Sequence, residues 1–185
     1  PGDLVAIHGR LGWAAAGLVV LGRGFRSPRV LVEAQRVPQI TYGAGAVAAQ
    51  AGATSMIDVS DGLIADLGHV AQASGVLIDI RRDAFEVAEP LQAVAAATGS
   101  DPYTFIFTGG DDHALAATFP SPDAIPTGWL VVGGVGPADD DQAGVLVDGA
   151  VWESASGFDH FRSVGTARAT DARSADGPRE PESRR

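Results

Sequence analysis

Two short stretches hold the residue types that handle phosphates and divalent cations. The first is Asp58-Val59-Ser60-Asp61-Gly62. It lies between Ser55 to Val59, which reads as a strand, and Leu63 to Ala73, whose apolar spacing reads as a helix. Side chains at the carboxyl end of a strand face the crevice where open sheets bind ligands. Carboxylates at 58 and 61 could hold a hard cation such as Mg²⁺ against a phosphate. The start of the following helix would add N–H groups and partial positive charge. An N-cap at Ser60 or Asp61 explains part of this pattern, but a cap does not require the second acid, Asp58.

The second stretch is Gly109-Gly110-Asp111-Asp112-His113. Two glycines between apolar runs that read as strands, Tyr103 to Thr108 and His113 to Thr118, permit positive φ or close backbone approach. The two acids and the histidine could be ligands or substrate contacts. A turn with solvated carboxylates, followed by a half-buried histidine, fits the same residues. Other candidates fit less well. Asp139 to Asp141 lacks the spacing of a calcium loop, Gly133-Gly134-Val135-Gly136 lacks the GxGxxG order, and no Gly-x-Ser-x-Gly elbow exists.

The elements that must position these stretches follow from pattern. Strands are expected at Leu4 to His8, Val76 to Ile80, Leu130 to Val135 and Val145 to Val147. Helices are expected at Trp13 to Leu21, Ala46 to Ala51 and Pro90 to Thr98, with Gly17 letting the first pack closely on a sheet. Val30 to Arg36 is open between helix and strand. Without strict βαβ alternation, the order implies an α+β fold: a mixed sheet covered by helices. Trp13, Trp129 and Trp152 read as packing residues, and Gly157-Phe158-Asp159-His160-Phe161 as a C-terminal anchor.

Composition narrows the chemistry. The 185 residues include 13 basic and 23 acidic side chains, for a net charge of −10, and all the bases are Arg. With no Lys there is no P-loop lysine and no Schiff-base lysine. With no Cys there is no disulfide scaffold, Cys-based zinc site or thiol nucleophile. The acidity argues against nucleic acid as a partner. The longest weakly apolar run, Leu11 to Gly22, is too short to span a bilayer, so no membrane partner is expected and the cytoplasm is the default location. An opening Pro-Gly-Asp suggests a chain cut from something longer. Residues 163–185 contain no large apolar side chain and are expected to be a disordered tail behind a domain at 1–162.

In combination these motifs become specific. Met56-Ile57-Asp58-Val59-Ser60-Asp61-Gly62-Leu63, followed by Ala65-Asp66-Leu67-Gly68-His69, resembles the second-domain motif of bacterial thiamine-monophosphate kinases. Thr108-Gly109-Gly110-Asp111-Asp112-His113-Ala114-Leu115 is similar to that family's T-G-G-E-D-Y-E-L. Gly2-Asp3-Leu4-Val5, with Gly9-Arg10-Leu11-Gly12 and Ala15-Ala16-Gly17-Leu18, resembles the opening of the same domain, and Gly157 to Phe161 its close. The order is right throughout, from Pro1 to Phe161.

The resemblance implies the fold of the aminoimidazole ribonucleotide synthetase-like superfamily and the C-terminal domain of a two-domain, usually dimeric kinase. The N-terminal domain, a partner of this one, would carry most ATP and Mg²⁺ ligands, so the chain alone is expected to be inactive. The implied reaction is direct in-line transfer of the ATP γ-phosphoryl to thiamine monophosphate, giving thiamine diphosphate. Carried over by position, Asp58 and Asp61 would bind Mg²⁺, Ser60 would touch ATP phosphate, Asp111 would contact the substrate and Phe158 would stack on the thiamine rings. Asp111 stands where the family has the longer Glu, His113 and Ala114 replace Tyr and Glu, and Trp13 replaces a small or acidic residue. These departures keep two alternatives open: a sister ATP-dependent enzyme of the superfamily, and a non-catalytic domain with a degenerate site.

Overall fold

A computed structural model describes residues 1–138 and 142–153. Six strands form one sheet: β1 (Leu4–His8), β2 (Ser55–Val59), β3 (Val76–Ile80), β4 (Ala114–Phe119), β5 (Leu130–Pro137) and β6 (Gly144–Val147). Their spatial order is β2-β4-β1-β5-β3-β6. The β3–β6 pair is parallel and the other four pairs are antiparallel, so the sheet is mixed as expected. The carboxyl ends of β1, β2, β3 and β6 therefore share one end of the sheet with the starts of β4 and β5.

Six helices accompany the sheet among the described residues: α1 (Trp13–Gly22), α2 (Arg29–Arg36), α3 (Ala44–Gln50), α4 (Leu63–Ser74), α5 (Glu89–Thr98) and α6 (Pro102–Thr108). None is long and apolar enough to cross a membrane. The period-2 pattern of β1 divides the core in two. Val5 and Ile7 join the main cluster, which includes Leu63 and Leu67 of α4, Leu91 of α5 and Phe107 of α6. Ala6 faces the other way and meets Ala48 of α3, Ala117 and Phe119.

Three segments differ from expectation. Tyr103 to Thr108, despite its β-favouring aromatics, is helical. Pro102 takes the first helical position, and the Asp101 side chain accepts from the Tyr103 N–H at 2.9 Å. This capped start, with Phe105, Ile106 and Phe107 all buried, outweighs strand propensity. The strand expected from His113 begins at Ala114, because His113 is left-handed with φ 51°. Gly17 does permit a close approach, but to α2 rather than to the sheet: a Cβ there would stand 2.1 Å from the Leu31 carbonyl oxygen. Val30 to Arg36, open from sequence, is helix, with Leu31, Val32 and Ala34 buried.

The three tryptophans pack as expected. Trp129 lies against His8 and Phe119, Trp152 stands edge-on to Phe107 at 5.0 Å, and the Arg10 guanidinium covers Trp13. Asp139 to Asp141, Gly157 to Phe161 and segment 163–185 lie outside the described residues.

Candidate functional site

Three loops meet at the shared end of the sheet. They follow β1 (Gly9–Gly12), follow β2 (Ser60–Gly62) and precede β4 (Gly109–His113). The backbone joins two of them directly: Asp111 N–H donates to the Ser60 carbonyl at 2.9 Å, and His113 N–H to the Val59 carbonyl at 3.2 Å. Glycine makes that closeness possible. A Cβ at Gly110 would sit 2.3 Å from the Ser60 carbonyl oxygen, and one at Gly62 would sit 2.9 Å from the Thr108 carbonyl carbon.

Two buried carboxylates hold the loops in shape: Asp66, to which the sequence assigned no role, and Asp112, which it offered as a ligand or substrate contact. Asp66, in the first turn of α4, turns back and accepts the N–H groups of Ser60, Asp61 and Gly62 at 3.0, 3.0 and 3.1 Å. Neither Ser60 nor Asp61 caps the helix. The N-cap is Gly62, which makes no side-chain hydrogen bond. The signal was present in the sequence: an acid one turn into a helix that follows a turn of unpaired donors. Burial raises the Asp66 pKa, and the three N–H groups pull against that shift.

Asp112 performs the same service for the first loop. It accepts the Ala14 N–H at 3.1 Å, and the neighbouring backbone of Gly12 and Trp13, at the start of α1, favours its charged form. Burial raises its pKa from 3.8 to about 6, against these donors and the positive charge of Arg10. Asp112 thus points inward while its neighbour Asp111 is exposed and left-handed at φ 67°. Two non-glycine residues with positive φ in three positions, Asp111 and His113, mark a locally strained loop.

The structure brings the backbone of Asp58, Ser60, Asp61 and Asp111 to one end of the sheet. Asp58 is 61% exposed, and its Oδ2 lies 3.8 Å from His113 Nδ1. Phe158 lies outside the described residues. Among the described residues, no group of three or more His, Cys, Asp or Glu side chains is arranged to hold a metal. Mg²⁺ keeps several waters and commonly takes one or two carboxylates plus substrate phosphate. Carboxylates such as Asp58 and Asp61, at the carboxyl end of β2, are the residue type that a cation shared with substrate would take.

No protein-family model matches the chain. A thiamine-monophosphate kinase of Mycobacterium tuberculosis is 45% identical over 161 residues, covering 86% of this chain and 47% of the relative. Another, from Corynebacterium glutamicum, is 41% identical over 141 residues, covering 73% of this chain and 42% of the relative. This chain is homologous to about half of a thiamine-monophosphate kinase. It spans about half the length of the curated relatives it matches.

Solved structures agree. Thiamine monophosphate kinase from Aquifex aeolicus superposes with a TM-score of 0.72 at 30% identity, covering 82% of this chain and 52% of the other. An AaThiL complexed with AMPPCP and TMP gives the same score and identity and covers 86% of this chain and 52% of that one. A hydrogenase maturation protein, HypE, shares the fold at 17% identity with a TM-score of 0.56. The α+β architecture is thus that of the aminoimidazole ribonucleotide synthetase-like proteins.

Proposed function

We propose that this chain is the C-terminal half of a kinase that transfers the ATP γ-phosphoryl to thiamine monophosphate, yielding thiamine diphosphate. The observation that carries the proposal is the juncture of the Asp58–Gly62 and Gly109–His113 loops, in a chain 45% identical to a named thiamine-monophosphate kinase. In-line phosphoryl transfer asks for positioning and charge neutralisation rather than a protein nucleophile. A site of carboxylates and backbone donors, in a chain without Cys or Lys, suits that demand.

Asp58 and Asp61 would hold Mg²⁺, which when bound neutralises charge on the transferring phosphate. Ser60, whose N–H is engaged by Asp66, is left with its hydroxyl for an ATP phosphate oxygen. Asp111 is oriented outward by its left-handed backbone and by its N–H bond to Ser60, and would contact thiamine monophosphate. Phe158 would stack on the thiamine rings, a role that rests on its motif alone. The remaining half of the protein, an N-terminal domain, would supply the other ATP and Mg²⁺ ligands, and the whole is proposed to work as a homodimer.

The test is a thiamine diphosphate assay with ATP, Mg²⁺ and thiamine monophosphate. The substrates are given to this chain alone, to the chain mixed with the N-terminal domain, and to the intact parent. Product from the parent and from the mixture, but not from the chain alone, is the expected result. An intact parent that makes no thiamine diphosphate would overturn the proposal.

A further inference from the structure

A second feature, beside the loop cluster, is not used by the kinase reading. A cavity of about 480 Å³ opens between the β1–α1 loop and α2. Arg10 and Arg36 line it with Glu33, Gln39, Val30 and Val37. Two of the chain's 13 cations thus converge on one hollow of a protein with net charge −10. The single lining acid is partly engaged elsewhere, since Glu33 Oε1 accepts from Arg29 Nε at 2.6 Å.

Arg10 is held in place but incompletely satisfied. Its guanidinium lies 4.7 Å from the centre of the Trp13 ring, which fixes its plane. Its Nε is buried and has no hydrogen-bond partner among the described residues. A buried donor left in that state is unfavourable, so the arrangement favours an acceptor arriving from outside. A planar guanidinium with its donors in a fork matches phosphate oxygens. The volume exceeds that of a bare ion and lies within the range of small-ligand pockets. Val30 and Val37 give an organic body something apolar to rest on.

We propose that this cavity binds a phosphorylated small molecule, its phosphate held by Arg10 and Arg36. Arg10 also acts electrostatically on Asp112, which shapes the first loop of the candidate active site, so occupancy would be felt there. The proposal stands on the cavity and does not require the kinase reading.

The test is NMR titration of the full 185-residue chain, observing arginine Nε–H signals. The probes are inorganic phosphate, thiamine monophosphate and unphosphorylated thiamine. Inorganic phosphate is expected to give saturable shifts at Arg10 and Arg36. Thiamine monophosphate should bind at least as tightly, and thiamine should leave both signals unmoved. Arg10→Gln and Arg36→Gln should each weaken phosphate binding about tenfold, whereas Arg81→Gln, just after β3 and outside the cavity, should not. If Arg10→Gln fails to fold, Arg36→Gln, at an exposed helix end, still decides the matter. No saturable shift, or binding unchanged in the folded Arg36 variant, would overturn the proposal. Because these readouts involve no turnover, failure of the kinase assay would leave them standing, and their failure would leave the kinase assay standing.

Discussion

The Asp111 N–H reaches the Ser60 carbonyl at 2.9 Å, and Gly110 is what allows it. A methyl at Gly110 would meet that carbonyl oxygen at 2.3 Å, and the obstacle is backbone, so the two loops must part. Gly110→Ala should lower unfolding free energy by about 2–3 kcal/mol and abolish turnover in the intact parent. Urea denaturation checks the first effect and the thiamine diphosphate assay the second. A variant as stable and active as the parent would show that the juncture is dispensable.

Asp66 gathers three backbone N–H groups with one carboxylate oxygen. Removing that acceptor leaves buried donors unpaired, so Asp66→Ala should cost about 3 kcal/mol or more. Asp66→Asn keeps an acceptor oxygen and should fall between the two. Amide exchange at Ser60, Asp61 and Gly62 is the direct reading: it should quicken strongly in the Ala variant and modestly in the Asn variant.

Asp112 predicts a pH dependence. Its folded pKa of about 6 lies above the ordinary 3.8, so the folded chain holds a proton that the unfolded chain has released. The stability this proton supplies is fully present below about pH 4 and is lost as pH rises through about 6. Asp112→Asn is neutral at every pH. Relative to the parent chain it should therefore gain about 2–3 kcal/mol between pH 4 and pH 7. Denaturation of both proteins across that range measures the difference, and a flat difference would mean that Asp112 titrates normally.

Asp58 is exposed and offers little to the core. Asp58→Asn in the intact parent should reduce phosphoryl transfer by orders of magnitude while the melting temperature moves by a degree or so. Near-normal turnover would remove Asp58 from the machinery.

Most elements were legible because their signals were local. The helix expected at Leu63 to Ala73, and found at Leu63–Ser74, announced itself by apolar spacing and by Gly75, which closes it in a left-handed conformation. The candidate site was legible as two motifs of acids, but not its internal supports. Asp66 carries only a faint local cue, its place one turn into a helix, and Asp112 carries none. Their roles depend on burial and on donors brought from Ser60 to Gly62 in one case and from 98 residues away in the other. Tyr103 to Thr108 misled because side-chain propensity favours a strand, whereas the Asp101-Pro102 cap and packing of Phe105 to Phe107 favour a helix. Gly17 was recognised as a contact point, but its partner, the Leu31 carbonyl, belongs to the helix that sequence left undecided.

The sheet order β2-β4-β1 has a consequence in time. The strands ending at His8 and Val59 touch each other only through β4, which is made well after both. On the ribosome, Asp58, Ser60 and Asp61 therefore emerge with nothing to register them against the first loop. Their arrangement must wait for residues 114–119 to thread between two waiting edges. A product that stops short of β4 would hold nearly every acid of the site but not the registration of its loops, with two open strand edges inviting the wrong neighbours.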